Sequence, residues 1–141
     1  METIKNFNDF FNDVFGELRC QPETRAYIVS IFTKYKAAHF DLSKDSLTLT
    51  YAQAKDNRDF SVFQNLGDWI FFSKTFAPTH LNNASEEYYQ SLGRLSYYSC
   101  YTLINKQWKL FEELSDNFVP LERDTRVILQ KFQPAFSMKL M

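Results

Sequence analysis

The chain has 141 residues, enough for one domain with a true core. Its 16 basic and 17 acidic residues leave a net charge of −1 and form no long run of one sign, which excludes the basic stripe of a generic nucleic-acid or anionic-membrane binder. Three glycines and four prolines are too few for the many tight turns of a sandwich or barrel, so a few long helices are expected.

The first stretch places Ile4, Phe7, Phe10, Phe11, Val14, Phe15 and Leu18 on one face, with Asn6, Asn8, Asp9, Asn12, Asp13 and Glu17 opposite. That period predicts an amphipathic helix from Thr3 to Arg19, docked on the domain because the apolar face is large. It has neither the basic start nor the continuous apolar run of a secretion signal. Pro22 and Glu23 then open a second helix, carrying Tyr27, Ile28, Ile31, Phe32 and Tyr35 to about His39. Residues 40–45 read as a loop. Leu47, Leu49 and Tyr51 alternate with threonines as a strand would, yet Ala52, Gln53 and Ala54 favour a third helix from Ser46 to Lys55.

The fourth element, residues 58–77, is the predicted centre of the fold. Phe60, Phe63, Gly67, Ile70 and Phe71 form one apolar arc, and Val62, Leu66, Trp69, Ser73 and Phe76 form its neighbour. A helix apolar over most of its circumference is buried on several sides. Ser61, Gln64, Asn65 and Asp68 make the polar strip, which predicts a partly solvated Asp68 rather than a buried acid paired with Arg94. Pro78 ends the element. Ser85 then caps a fifth helix, with Glu86 and Glu87 in its first turn and Ile104 near its end. This helix carries five of the eight tyrosines and a small face of Gly93, Ser96 and Cys100. The short connection predicts an antiparallel pair crossing where Gly67 and Gly93 let the backbones approach. Asn105 is read as the cap of a sixth helix, with Trp108, Phe111 and Leu114 on its inner side. Pro120 interrupts or kinks the chain, and a last helix runs from Leu121 to Phe132. The expected fold is all-α, a single domain of six or seven helices spanning 1–141.

The arrangement Leu66-Gly67-Asp68, an aromatic-rich turn, Pro78, and then Tyr88-Tyr89-x-x-Leu92-Gly93-x-x-x-Tyr97 resembles a family of uncharacterised bacterial all-helical proteins, with a fainter echo from Glu23 to Tyr27. The chain departs from that pattern where Thr75-Phe76-Ala77-Pro78 stands in place of Gly-Phe-Phe-Pro. The resemblance implies a bacterial helical protein, and it carries over no catalytic residue.

Chemistry-bearing residues are sparse. His39 and His80 have no second histidine or cysteine three or four residues away, so no helix turn presents a ligand pair, and no metal or cofactor is expected. A zinc site from both histidines with Cys20 and Cys100 needs tertiary coincidence, and nothing selects a haem. Cys20 has only Arg19 beside it to lower its pKa, while Cys100 falls on a core face. Two free thiols, not bonded to each other, suit a reducing, cytoplasmic setting. No Gly-rich phosphate loop and no Gly-x-Ser-x-Gly occurs. No apolar window of about 18 residues occurs, so no membrane span is expected. The tyrosine run could stack bases, but a positive groove is missing.

With aromatics at 18%, the leading expectation is a non-enzymatic interaction protein, working through a helix groove, as a homodimer or with another protein. The alternative is a carrier of an apolar or aromatic small ligand in a pocket between helices 58–77 and 85–104. Trp69, Phe72, Tyr89, Tyr97 and Tyr101 are the residues expected to line such a pocket or interface. An enzyme without a local motif is the third reading.

Overall fold

The computed structural model describes residues 2–37, 47–76 and 84–131, with side chains from residue 8 to 35 in the first of these. His39, His80 and the tail after Lys131 lie outside the described residues. Seven α-helices and one 3-10 turn follow in order: α1 (Glu2–Val14), the 3-10 turn (Phe15–Glu17), α2 (Pro22–Ala37), α3 (Leu47–Asn57), α4 (Phe60–Phe76), α5 (Glu86–Leu103), α6 (Lys109–Asp116) and α7 (Phe118–Lys131). The described residues contain no strand, and the helices pack into one all-α core.

α4 is the axis. Every residue from Leu66 to Thr75 is buried, because α2, α3, α5 and α7 all pack against it. Its most extensive neighbour is α5. α1 lies on α2 and is docked as expected: Phe11, Val14 and Phe15, with Leu18 beyond them, are buried. Phe11, Phe15 and Phe32 form a ring cluster with centroids 4.9–5.8 Å apart, which Phe72 of α4 extends at 5.3 Å. Such edge and offset pairs add to the burial of each ring.

Helix ends follow local chemistry. α1 stops at Val14 and passes into the 3-10 turn, short of the expected end at Arg19, and two later boundaries also depart from expectation. Ser85 caps α5 as expected, accepting from the Tyr88 backbone N–H at 3.1 Å. Asn105, expected to start α6, instead terminates α5 in a left-handed turn with Lys106, at φ 58° and 59°. Asparagine tolerates that conformation, and the Lys106 N–H closes the turn on the Tyr101 carbonyl at 2.8 Å. Trp108 then takes the position before α6. The second of the two is at Pro120, which neither breaks nor kinks a helix. The break falls at Asn117, and Pro120 sits in the first turn of α7, where an amide N–H has no intrahelical partner to lose.

The glycines divide the work expected of them jointly. A Cβ on Gly67 would stand 2.7 Å from Cε1 of Tyr97, so this glycine lets α5 lay a ring against α4. A Cβ on Gly93 would meet the ring of Phe118 instead, at 2.7 Å from Cε2. Gly93 therefore receives α7, not α4, and the two glycines do not face each other.

Two stability outcomes follow from this packing. Phe11→Asp should destabilise by about 3–5 kcal/mol, since it removes a fully buried ring and buries a charge. Thermal or urea unfolding measures it; an unchanged transition would mean α1 is not docked. Gly93→Ala, which on an exposed helix would gain about 1 kcal/mol, should instead destabilise, and Gly93→Leu should cost more.

Candidate functional site

Three polar features stand out, two inside the molecule and one on its surface. The first interior feature is centred on Asp68. It is 5% exposed, contrary to the partly solvated residue expected from its strip. The strip does begin wet at Ser61 and half-buried at Gln64 and Asn65, but α2 and α5 close over its last member. Arg94, the partner that the less favoured reading of a buried acid would have used, is exposed. The partners are hydroxyls. Tyr97 donates to Asp68 Oδ1 at 2.7 Å, and Tyr27 donates to Oδ1 and Oδ2 at 2.8 and 2.9 Å. Gln64 Nε2 in turn donates to the Tyr27 hydroxyl at 2.9 Å. Burial pushes the Asp68 carboxyl up from 3.8 to about 6, while the Tyr97 and Tyr27 hydroxyls and the charge of Lys34 pull it down. Desolvation, reinforced by the Asp68 charge, pushes both tyrosine hydroxyls above their ordinary range, so they remain neutral donors.

A second interior group links α4 to α7 and α5. Lys74 lies 3.3 Å from Glu86 and 3.8 Å from Glu122, which is 1% exposed. Arg126 Nε lies 3.5 Å from Glu122, and Thr75 donates to it at 3.3 Å. Burial raises the Glu122 carboxyl despite Lys74 and Arg126. A buried charge with several partners fixes the register of its helices at a desolvation cost.

The surface feature is an open cleft of about 550 Å³ between the start of α2 and α6. Glu23, Glu112, Glu113 and Asp116 line it, with Lys109 as the one basic lining residue. Glu113 accepts from the hydroxyl of Thr24 and from the Gln21 backbone N–H at 3.3 Å. Glu112 accepts from Tyr101 at 3.2 Å and pairs with Lys109 at 3.4 Å. Trp108 is 42% exposed beside it, its indole N–H donating to Glu23 at 3.1 Å and its ring edge-on to Phe111. The helical pattern put Trp108 with Phe111 and Leu114 on the inner side; as the residue before α6 it leaves that face. The cleft joins residues some 85 positions apart in sequence, as the Glu23–Trp108 bond spans, so no local motif announces it.

The five aromatic residues expected at a pocket or interface are all buried. Trp69, Phe72, Tyr89, Tyr97 and Tyr101 belong to the core, and the Tyr101 hydroxyl reaches Glu112 of the cleft. Phe72 stacks between Tyr35 and Phe76, with centroids 5.4 and 4.9 Å away. Among the described residues no cluster of three or more His, Cys, Asp or Glu could hold a metal ion, and no helix is long and apolar enough to cross a membrane. Cys20 and Cys100 are both free. Burial, together with the charge of Glu113, pushes the Cys20 thiol up to about 11, and burial also raises Cys100. Neither thiol is activated as a nucleophile.

No protein-family model matches the chain, and neither a curated protein nor a solved structure matches it.

Two measurements test this geometry. Tyr97→Phe should lose about 1.5–3 kcal/mol near neutral pH, as expected for a hydrogen bond to a charged group. A loss under about 0.5 kcal/mol in urea unfolding would remove Tyr97 from the Asp68 cluster. In native protein at about pH 8, an aromatic disulfide reagent should label Cys20 slowly, because roughly a thousandth of it is thiolate, and Cys100 only after unfolding. Fast labelling of either thiol would contradict the burial described.

Proposed function

We propose that the protein is a non-enzymatic interaction module, and that the acidic cleft edged by Trp108 is its recognition surface for a basic segment of another protein. The exposed Trp108 beside four carboxylates carries this reading. Tryptophan is enriched at the centres of binding surfaces, where it combines apolar area with one hydrogen-bond donor. An arginine can stack on an indole face and pair with a carboxylate at once, and Trp108 beside the cleft with the carboxylates lining it offers both.

The other expectations find less support. A carrier of an apolar ligand between α4 and α5 would have to part the Tyr97 ring from Gly67, where the two already touch. A homodimer would need a continuous apolar face. Among the described residues, the exposed large apolar ones, Leu49, Leu95, Tyr98, Trp108 and Val127, are instead spread over α3, α5, the start of α6 and α7. A bacterial source and a cytoplasmic location, which the resemblance and the free thiols suggest, belong to the same proposal.

The test is a titration with a short dye-labelled peptide bearing arginine and lysine, followed by the fluorescence anisotropy of the peptide. Binding should weaken as salt rises, and it should fall at least tenfold in Trp108→Ala and measurably in Asp116→Asn. Absence of binding, or binding that both variants retain, would overturn the proposal. Light scattering in the same buffer reads the alternative of a second copy on the cleft, which would appear as a dimer lost in Trp108→Ala.

A further inference from the structure

Asp68 has no cationic partner at ion-pair distance among the described residues. The titratable and charged groups acting on it come from two helices. α2 contributes Tyr27 and Lys34, and α5 contributes Tyr97 and Cys100. Tyr35 of α2 also senses its charge. From α4 itself comes only the Gln64 amide, acting through Tyr27. α6 adds no charge; its Phe111 ring lies against the rings of both tyrosines, at 5.9 and 6.2 Å, and closes the site with an apolar wall.

We propose that this cluster is a proton-sensitive latch: the junction of α2, α4 and α5 holds tightest when Asp68 carries a proton, and it loosens when the carboxyl ionises. The ionised group is solvated here by two tyrosine hydroxyls against the Phe111 ring, with only the charge of Lys34, beyond ion-pair distance, to offset it, and burial of a charge without a paired counter-charge is costly. With a proton on Oδ2, the acid donates to the Tyr27 hydroxyl while Tyr27 and Tyr97 still donate to Oδ1. Every polar atom keeps a partner, and the charge is gone. Both tyrosines and Cys100 are pushed upward by burial, so Asp68 is the member of the cluster that changes charge near neutral pH. Its folded carboxyl, at about 6, lies above the free value of 3.8. The folded state therefore holds the proton more tightly than the unfolded chain. The associated stability is fully present below about pH 4 and is lost as pH rises through about 6.

The experiment compares urea unfolding of the natural chain and of Asp68→Asn from about pH 4 to pH 8. Asparagine is neutral throughout, and every other titrating group is shared. The ratio of the two unfolding constants should therefore rise roughly a hundredfold across the range, in favour of the variant at high pH. A ratio that stays flat overturns the latch. A direct reading needs no variant: the Asp68 side-chain carboxyl signal, followed by carbon NMR in the folded natural chain, should titrate near pH 6, and a midpoint below about 4.5 overturns the proposal. Tyr97→Phe should move that midpoint upward by removing a donor to the ionised form. A midpoint unmoved by Tyr97→Phe would leave the tyrosine a packing residue and also count against the latch.

Discussion

The contact on which the structure depends is the placement of Tyr97 across Gly67. The ring occupies the space that a side chain on α4 would fill, and the hydroxyl continues to Asp68 one residue further along the same helix. One side chain of α5 thus sets both the distance and the register of the α4–α5 pair. The same ring touches Phe118 of α7 and Phe111 of α6, at 6.0 and 6.2 Å. Removing the Cβ at Gly67 costs helix propensity of about 1 kcal/mol, and the packing of a fully buried aromatic ring offsets it.

The rest of the core arranges itself around that pair. α2 reaches the same carboxylate through Tyr27, α7 packs Phe118 into the notch at Gly93, and the Lys74–Glu122 group ties the far end of α4 to α7. From Leu66 to Thr75, α4 is surrounded on all sides and has no solvent-facing surface for its polar residues. Asp68, Ser73, Lys74 and Thr75 are consequently buried, and the energy of the interior depends on which partners they find. Asp68 finds hydroxyls, Lys74 finds carboxylates, and Thr75 bonds back to the Phe71 carbonyl at 2.8 Å. This mixture of full burial and incomplete charge compensation separates the interior site from the cleft, where the carboxylates face water.

Periodicity made the helices legible, and it did so because their faces differ in polarity. α1 and α5 read cleanly from the spacing of Phe11, Val14 and Phe15 and from the Ser85 cap. α3 was separable from a strand only by Ala52 to Ala54. What the sequence could not convey was pairing between distant residues. The polar strip of α4 looked solvated because nothing in its own spacing says that Tyr27, some 40 residues earlier, will cover Asp68. Gly67 and Gly93 both mark sites of close approach, but a small residue does not name its occupant, and Phe118 rather than α4 fills the second. The cleft was invisible because Trp108 reads as a core residue on a helical wheel. It sits outside that wheel only because Asn105 and Lys106 turn the chain before α6 begins.

The account rests on α5 being seated on α4 through Tyr97, and Gly67→Ala tests that seating most directly. The measurement is the unfolding free energy of this variant in urea, with Gly16→Ala as the control, because a Cβ at Gly16 meets open space. On an unobstructed helix the change to alanine would gain about 1 kcal/mol. Seating of Tyr97 against Gly67 requires a loss instead, of about 1–3 kcal/mol, because the ring must shift away from the new methyl group. A Gly67→Ala protein more stable than the natural chain would contradict the account.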